Sequence, residues 1–205
     1  GLPEITTFPT DDEICFDERV TVAGVTTNAF VDRVEWEARD ENGNPAGTFS
    51  DPTAENPLYT PASFTSTELS NTQVVTLTMT AYATSPCTAE ATQNFTLTLT
   101  PTPKVNNADT LWGTASVCAG EDDLYTTEVA DLSHYESYAW TSATSADGEW
   151  FDRATLQPSY GPSQDEIDAG KFILVLTVNG NGVCDPIQEQ KTIQIVEVPT
   201  VDLPT

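Results

Sequence analysis

Gly47–Pro61 reads GTFSDPTAENPLYTP and Gly148–Pro162 reads GEWFDRATLQPSYGP, and the two stretches align without a gap at an offset of 101 residues. A self-match of this kind marks a duplicated unit. Working outward from it, Ile14-Cys15 pairs with Val117-Cys118, Trp36 with Trp140, Cys87 with Cys184, and Phe95, Leu97 with Ile193, Ile195, all in the same order and at similar spacing. The 205 residues are therefore two copies of one repeat, each of about 100 residues and long enough to own a core.

Within each copy the apolar residues alternate with polar ones, the period of a half-buried strand. In the first copy the runs are Val20, Val22; Val34, Trp36, Ala38; Val75, Leu77, Met79, Ala81; and Phe95, Leu97, Leu99. In the second they are Tyr138, Trp140; Phe172, Leu174, Leu176, Val178; and Ile193, Ile195. The 33 threonines suit such pleated surfaces. Asn42-Gly43 and the run from Asn179 to Gly182 are tight-turn signals. Ser163 with Glu166 forms a capping-box pattern stopped by Gly170, which predicts one short helical turn. About seven strands per repeat, a tryptophan on the third and two distant cysteines predict an all-β chain of two tandem immunoglobulin-like sandwiches.

The predicted organisation is a linker or the end of a preceding repeat over 1–10, repeat one over 11–101, a linker over 102–113, repeat two over 114–199, and the start of a next linker over 200–205. Leu2–Ile5, Thr102–Val105 and Val198–Val201 share a proline-centred pattern at nearly the same interval, so the chain reads as an internal piece of a longer array. Pro101, Pro103 and Trp112 are the candidate interdomain joint. Two prolines and a single glycine between residues 100 and 116 predict a semi-rigid connection, with Trp112 packed against one or both domains and the fragment an extended rod. Replacing Trp112 by alanine is expected to loosen that joint and leave each sandwich folded.

Four cysteines without a CxxC pair or a nearby histidine do not fit a zinc site. They predict disulfides and an oxidising, extracellular or periplasmic location. Cys15 and Cys118 precede their strands, and Cys87 and Cys184 sit in turns before the last strand, so the expected bridges are Cys15 to Cys87 and Cys118 to Cys184, at one pole of each sandwich.

Seven Lys plus Arg against 32 Asp plus Glu give a net charge of -25, shared almost evenly between the halves. Such a surface repels phosphate backbones and anionic lipid, which argues against nucleic acid or a membrane surface as partner. No apolar run approaches the roughly 20 residues of a membrane helix. No catalytic residue is expected. His134 is the single histidine and lies in a polar stretch, and no serine or cysteine motif accompanies it. Calcium is the one cofactor that the acidity suggests, through Asp11, Asp12, Glu13 and the matching Glu121, Asp122, Asp123. Asp40–Asn44 carries part of an EF-hand pattern but lacks its closing glutamate, and is read as a β-turn. Asn94 heads a glycosylation sequon, and Asp109-Thr110-Leu111 resembles a short bacterial O-glycosylation signal.

Val117-Cys118, Tyr138 with Trp140, Gly148 with Trp150 and Phe151, Pro158–Ser163, Ile167–Gly170, Leu174–Thr177 and Gly182–Cys184 together resemble the PKD-like, immunoglobulin-like repeats of long Bacteroidota surface adhesins. These include gliding-motility adhesins exported by type IX secretion. The resemblance covers 117–199 well and 14–101 more loosely, with Ser85-Pro86 where the second copy has Gly182-Val183. It implies a cell-surface stalk that presents a distal binding region, with neighbouring repeats as partners. The alternatives are a module that itself binds surface glycan or protein, with Trp112 a candidate stacking residue, and an accessory domain of a secreted hydrolase.

Overall fold

The computed structural model describes residues 1–62, 71–119, 124–144 and 148–197. The chain forms two compact units: residues 1–102 together with Gly182–Cys184, and residues 103–181 together with 185–205.

In the first unit a four-stranded sheet has the order β2-β9-β8-β5, from β2 (Asp12–Cys15), β9 (Glu90–Thr100), β8 (Gln73–Ala83) and β5 (Val31–Asp40). β2 runs parallel to β9 and the other pairs are antiparallel. The facing sheet has the order β3-β7-β6, from β3 (Val20–Thr21), β7 (Leu58–Pro61) and β6 (Gly47–Phe49). β1 (Ile5–Thr7) pairs with β4 (Thr26–Thr27) at the side. The period-two runs do what their pattern demands, since Val75, Leu77, Met79 and Ala81 of β8 and Leu97 and Leu99 of β9 all have at most 1% of their surface exposed. Their partners on the outer face are mostly threonine.

The second unit repeats this plan. Its sheets have the orders β11-β18-β17-β14 and β12-β16-β15, and a side pair joins β10 to β13. The first is built from β11 (Ser116–Cys118), β18 (Ile187–Val196), β17 (Lys171–Gly180) and β14 (Tyr135–Ser142). The others use β12 (Tyr125–Thr126), β16 (Ser159–Gly161), β15 (Glu149–Phe151), β10 (Lys104–Val105) and β13 (Leu132–Ser133). The expected capping box is present: α1 (Gln164–Ala169) starts at Ser163 and ends on Gly170 in the left-handed region, with Glu166 reaching back to the cap. Buried Glu166 is fully engaged, accepting from Thr144 Oγ1 at 2.6 Å, Ser163 N at 2.9 Å and the Tyr160 hydroxyl at 3.0 Å.

Residues 1–10, expected as a linker or the end of a preceding repeat, and 102–113, expected as a linker, both contain short strands. Ile5 and Val105 are core residues on β1 and β10, so the proline-centred motif marks the first strand of each unit. Its third occurrence, at 198–201, lies outside the described residues. Leu111 and Trp112 sit in the core of the second unit, where Trp112 meets Trp140 edge to face at 5.9 Å. The Tyr125 hydroxyl donates to the Trp112 carbonyl. The expectation that Trp112 could be removed with both sandwiches intact is thus overturned, because its ring belongs to one of them.

Candidate functional site

Each β2-type strand ends in a cysteine lying beside the far end of the last strand. Cys15 is opposite Thr100 and Cys118 is opposite Val196, and the next residue donates to the same carbonyl in both copies, Phe16 N to Thr100 O at 2.9 Å and Ala119 N to Val196 O at 2.8 Å. The turn cysteines lie at the other end, since Cys87 precedes Glu90, where β9 begins, and Cys184 precedes Ile187, where β18 begins. β9 has 11 residues. At about 3.3 Å per residue this puts Cys15 and Cys87 roughly 30 Å apart, whereas a disulfide needs Cα atoms within about 7 Å. The expected bridges Cys15 to Cys87 and Cys118 to Cys184 are therefore incorrect.

The bond formed is Cys15–Cys184, with Cα atoms 4.9 Å apart and a sequence separation of 169. Cys87 and Cys118 are free and exposed. Gly182–Cys184, read from the second repeat of the sequence, completes the first compact unit. Around the bond, Cys184 Sγ lies 3.4 Å from the Thr100 carbonyl oxygen, Thr100 Oγ1 donates to Glu13 Oε1 at 2.6 Å, and Cys15 N donates to Glu18 Oε2 at 3.2 Å. Gly182 has a φ of 57°, a left-handed backbone that favours glycine, and its Cα faces the end of the Glu13 side chain. Cys15, Thr100 and Cys184 are buried at this pole. Sequence reasoning read Gly182 as part of a turn and of the repeat's resemblance motif, and did not find Glu13 or Thr100 as its neighbours. Nothing local to those residues signals a partner so far along the chain.

The other candidate residues are accounted for by structure. Asp11 accepts from Thr96 N at 2.7 Å, which holds its carboxyl below the usual carboxylate range, and Asp12 accepts from Glu13 N at 2.9 Å. Among the described residues no group of three or more His, Cys, Asp or Glu converges on a metal position. Glu121, Asp122 and Asp123 lie outside the described residues. Asp40 closes the expected turn, accepting from Asn42 N and Asn44 N, with Gly43 at a φ of 80°. His134 is a turn residue with a φ of 55°. Trp36 and Trp140 are core residues whose Nε1 atoms donate to equivalent carbonyls, Ala54 at 3.0 Å and Thr155 at 3.2 Å. Trp150 is half-buried against Tyr160 at 4.8 Å. Pro101 and Pro103 are buried on either side of Thr102, where the first unit's main segment ends.

The class defined by this architecture is an all-β chain of tandem immunoglobulin-like sandwiches. No family model matches the sequence, and no curated protein does. Among solved structures the chain is similar to Drosophila N-cadherin EC1-4, with a TM-score of 0.51 and 15% identity over 97% of this chain and 50% of that one. It also matches titin domains I67-I69 at a TM-score of 0.45 and 12% identity, covering 95% of this chain and 66% of that one. A third similar structure is Sidekick-1 immunoglobulin domains 1-5, at 0.41 and 10%, covering 95% and 39%. The chain spans half the length of the cadherin fragment.

Proposed function

We propose that this chain is a pair of load-bearing, non-enzymatic repeats from an extracellular adhesin, holding a distal binding region away from the cell. The observation that carries this reading is the Cys15–Cys184 bond. Residues 16–183, which include nearly every strand of both sandwiches, lie inside one covalent loop. Tension entering at Cys15 leaves at Cys184 and bypasses residues 16–183, which leaves β1, β2 and β18 as the strands on the loaded path. The bypassed chain would extend to roughly 550–600 Å, the length that the bond keeps from being paid out under load.

A stable disulfide suits an oxidising exterior, and the cadherin-like tandem fold is one that surface proteins use. The resemblance of residues 117–199 to Bacteroidota PKD-like repeats supports a bacterial cell surface, gliding motility and type IX secretion as the setting. Against a glycan-binding role, Trp36, Trp112 and Trp140 are buried and the Trp150 ring is engaged by Tyr160, so none offers a free stacking face. An array of bacterial and host glycans probed with the labelled chain tests the choice. The stalk reading expects no retention above background, and selective retention by one glycan class would overturn it in favour of a binding module.

A further inference from the structure

The two repeats use equivalent cysteines unequally. Cys15 and Cys118 are equivalent, as are Cys87 and Cys184, yet the bond joins Cys15 of the first copy to Cys184 of the second. The receiving strand of the second copy has the same construction as the first: β11 lies parallel to β18 with Cys118 opposite Val196, as β2 lies parallel to β9 with Cys15 opposite Thr100. Its counterparts of Glu13 and Thr100 are Ser116 and Val196, and among the described residues no turn cysteine is bonded to Cys118. Where Gly182–Cys184 is in place, Cys15 and Thr100 are each 3% exposed; at the matching place Cys118 is exposed and Val196 is 54% exposed. An apolar strand residue left open beside a free thiol is what an unfilled receiving site presents. The donating turn of the first copy, Ser85–Cys87, is exposed in turn.

We propose that Cys118 and Cys87 are the two separated halves of this same bridge, and that each closes onto another copy of the repeat. Cys118 receives the turn cysteine of one further copy, and Cys87 is delivered to the strand-end cysteine of another. The contact is heterologous, head to tail, so each copy donates to one neighbour and receives from another. It holds whether or not the chain serves in adhesion. This chain carries both halves, so two copies of it can join head to tail through one such bond, leaving a free half at each end. With oxidised glutathione as the oxidant, the Cys118 thiolate attacks one glutathione sulfur and expels the other as thiolate. The Cys87 thiolate of a second copy then attacks the Cys118 sulfur and expels the second glutathione. One disulfide forms between the proteins, two glutathione molecules are reduced, and the two protein thiol protons pass to them.

The test uses the full chain as Cys87→Ser and Cys118→Ser variants, incubated with oxidised glutathione separately and mixed, with bonds mapped by non-reducing peptide mass spectrometry. The mixture is expected to give on the order of tenfold more covalent dimer than either variant alone, because docking raises the local thiol concentration of the matched pair. The mapped bond should join Cys118 of one copy to Cys87 of the other, with Cys15–Cys184 retained. The unsubstituted chain should form a ladder of longer oligomers. Equal dimer in the separate and mixed samples, through Cys118–Cys118 or Cys87–Cys87 bonds, would overturn the proposal. So would absence of dimer from a mixture whose two thiols both react with a small maleimide.

Discussion

Gly47 and Gly148 show how a single atom constrains each sandwich. A Cβ at Gly47 would stand 2.6 Å from the Thr60 carbonyl oxygen and 2.7 Å from the Tyr59 hydroxyl, and one at Gly148 would overlap the Tyr160 ring. Both tyrosines are at most 1% exposed, so neither ring can swing aside into water. Gly148→Ala is expected to destabilise the second unit by about 1–3 kcal/mol, read as a lower thermal midpoint, while Ala at exposed Gly24 would not test packing at all. The glycine and tyrosine were legible in the sequence as the ends of the repeated stretch, but not the reason for them, since contact across a sheet leaves no local mark. The same burial governs the alkaline limit. Loss of hydration pushes the Tyr59 hydroxyl well above the phenol range and Tyr125 up to about 12, the latter helped by Glu128. A raised pKa means stability that is full below the unfolded value near 10 and is lost as pH climbs from there through the folded value. Part of the tyrosinate absorbance should therefore appear together with loss of the β-sheet dichroism above pH 10. Complete titration near pH 10 with the sheet signal unchanged would contradict the burial.

At the scale of elements, the strand runs and the short helix were readable because period-two alternation and a capping box are local signals. The segment from Thr102 to Trp112 was not, because proline-rich sequence without alternation looks the same whether it tethers two domains or lays down a short first strand and a turn. Tertiary burial decides it: Val105, Leu111 and Trp112 all enter the second core. Trp112→Ala is expected to cost that unit about 3–5 kcal/mol. In hydrogen exchange, amides of β17 and β18 should lose protection while those of β8 and β9 keep theirs. Equal loss in both units, or none, would contradict the placement. The cysteine pairing failed for a related reason. Four cysteines allow three connectivities, and repeat symmetry favours pairing within a copy. The parallel register of β2 on β9 sends the partners to opposite ends of an 11-residue strand, and register is not a property of the cysteines or their spacing.

For the whole molecule the question is what keeps a chain with so few cations and such modest hydrophobicity folded. Among the described residues the recorded ion pair is Arg39 with Glu37, both well exposed, and such a pair contributes little. Stability rests on the two apolar cores and on the disulfide, whose loop of 169 residues gives a chain-entropy contribution of at most about 5 kcal/mol. Mechanically, the bond takes residues 16–183 out of the path of tension between the termini and leaves β1, β2 and β18 on it. Pulling the chain by its two termini in an optical trap, with and without reductant, measures this directly. Without reductant the extension gained at unfolding should be confined to residues outside 15–184, and with reductant a further gain of roughly 550–600 Å should appear as the sandwiches unravel. Release of that full length without reductant would contradict the account.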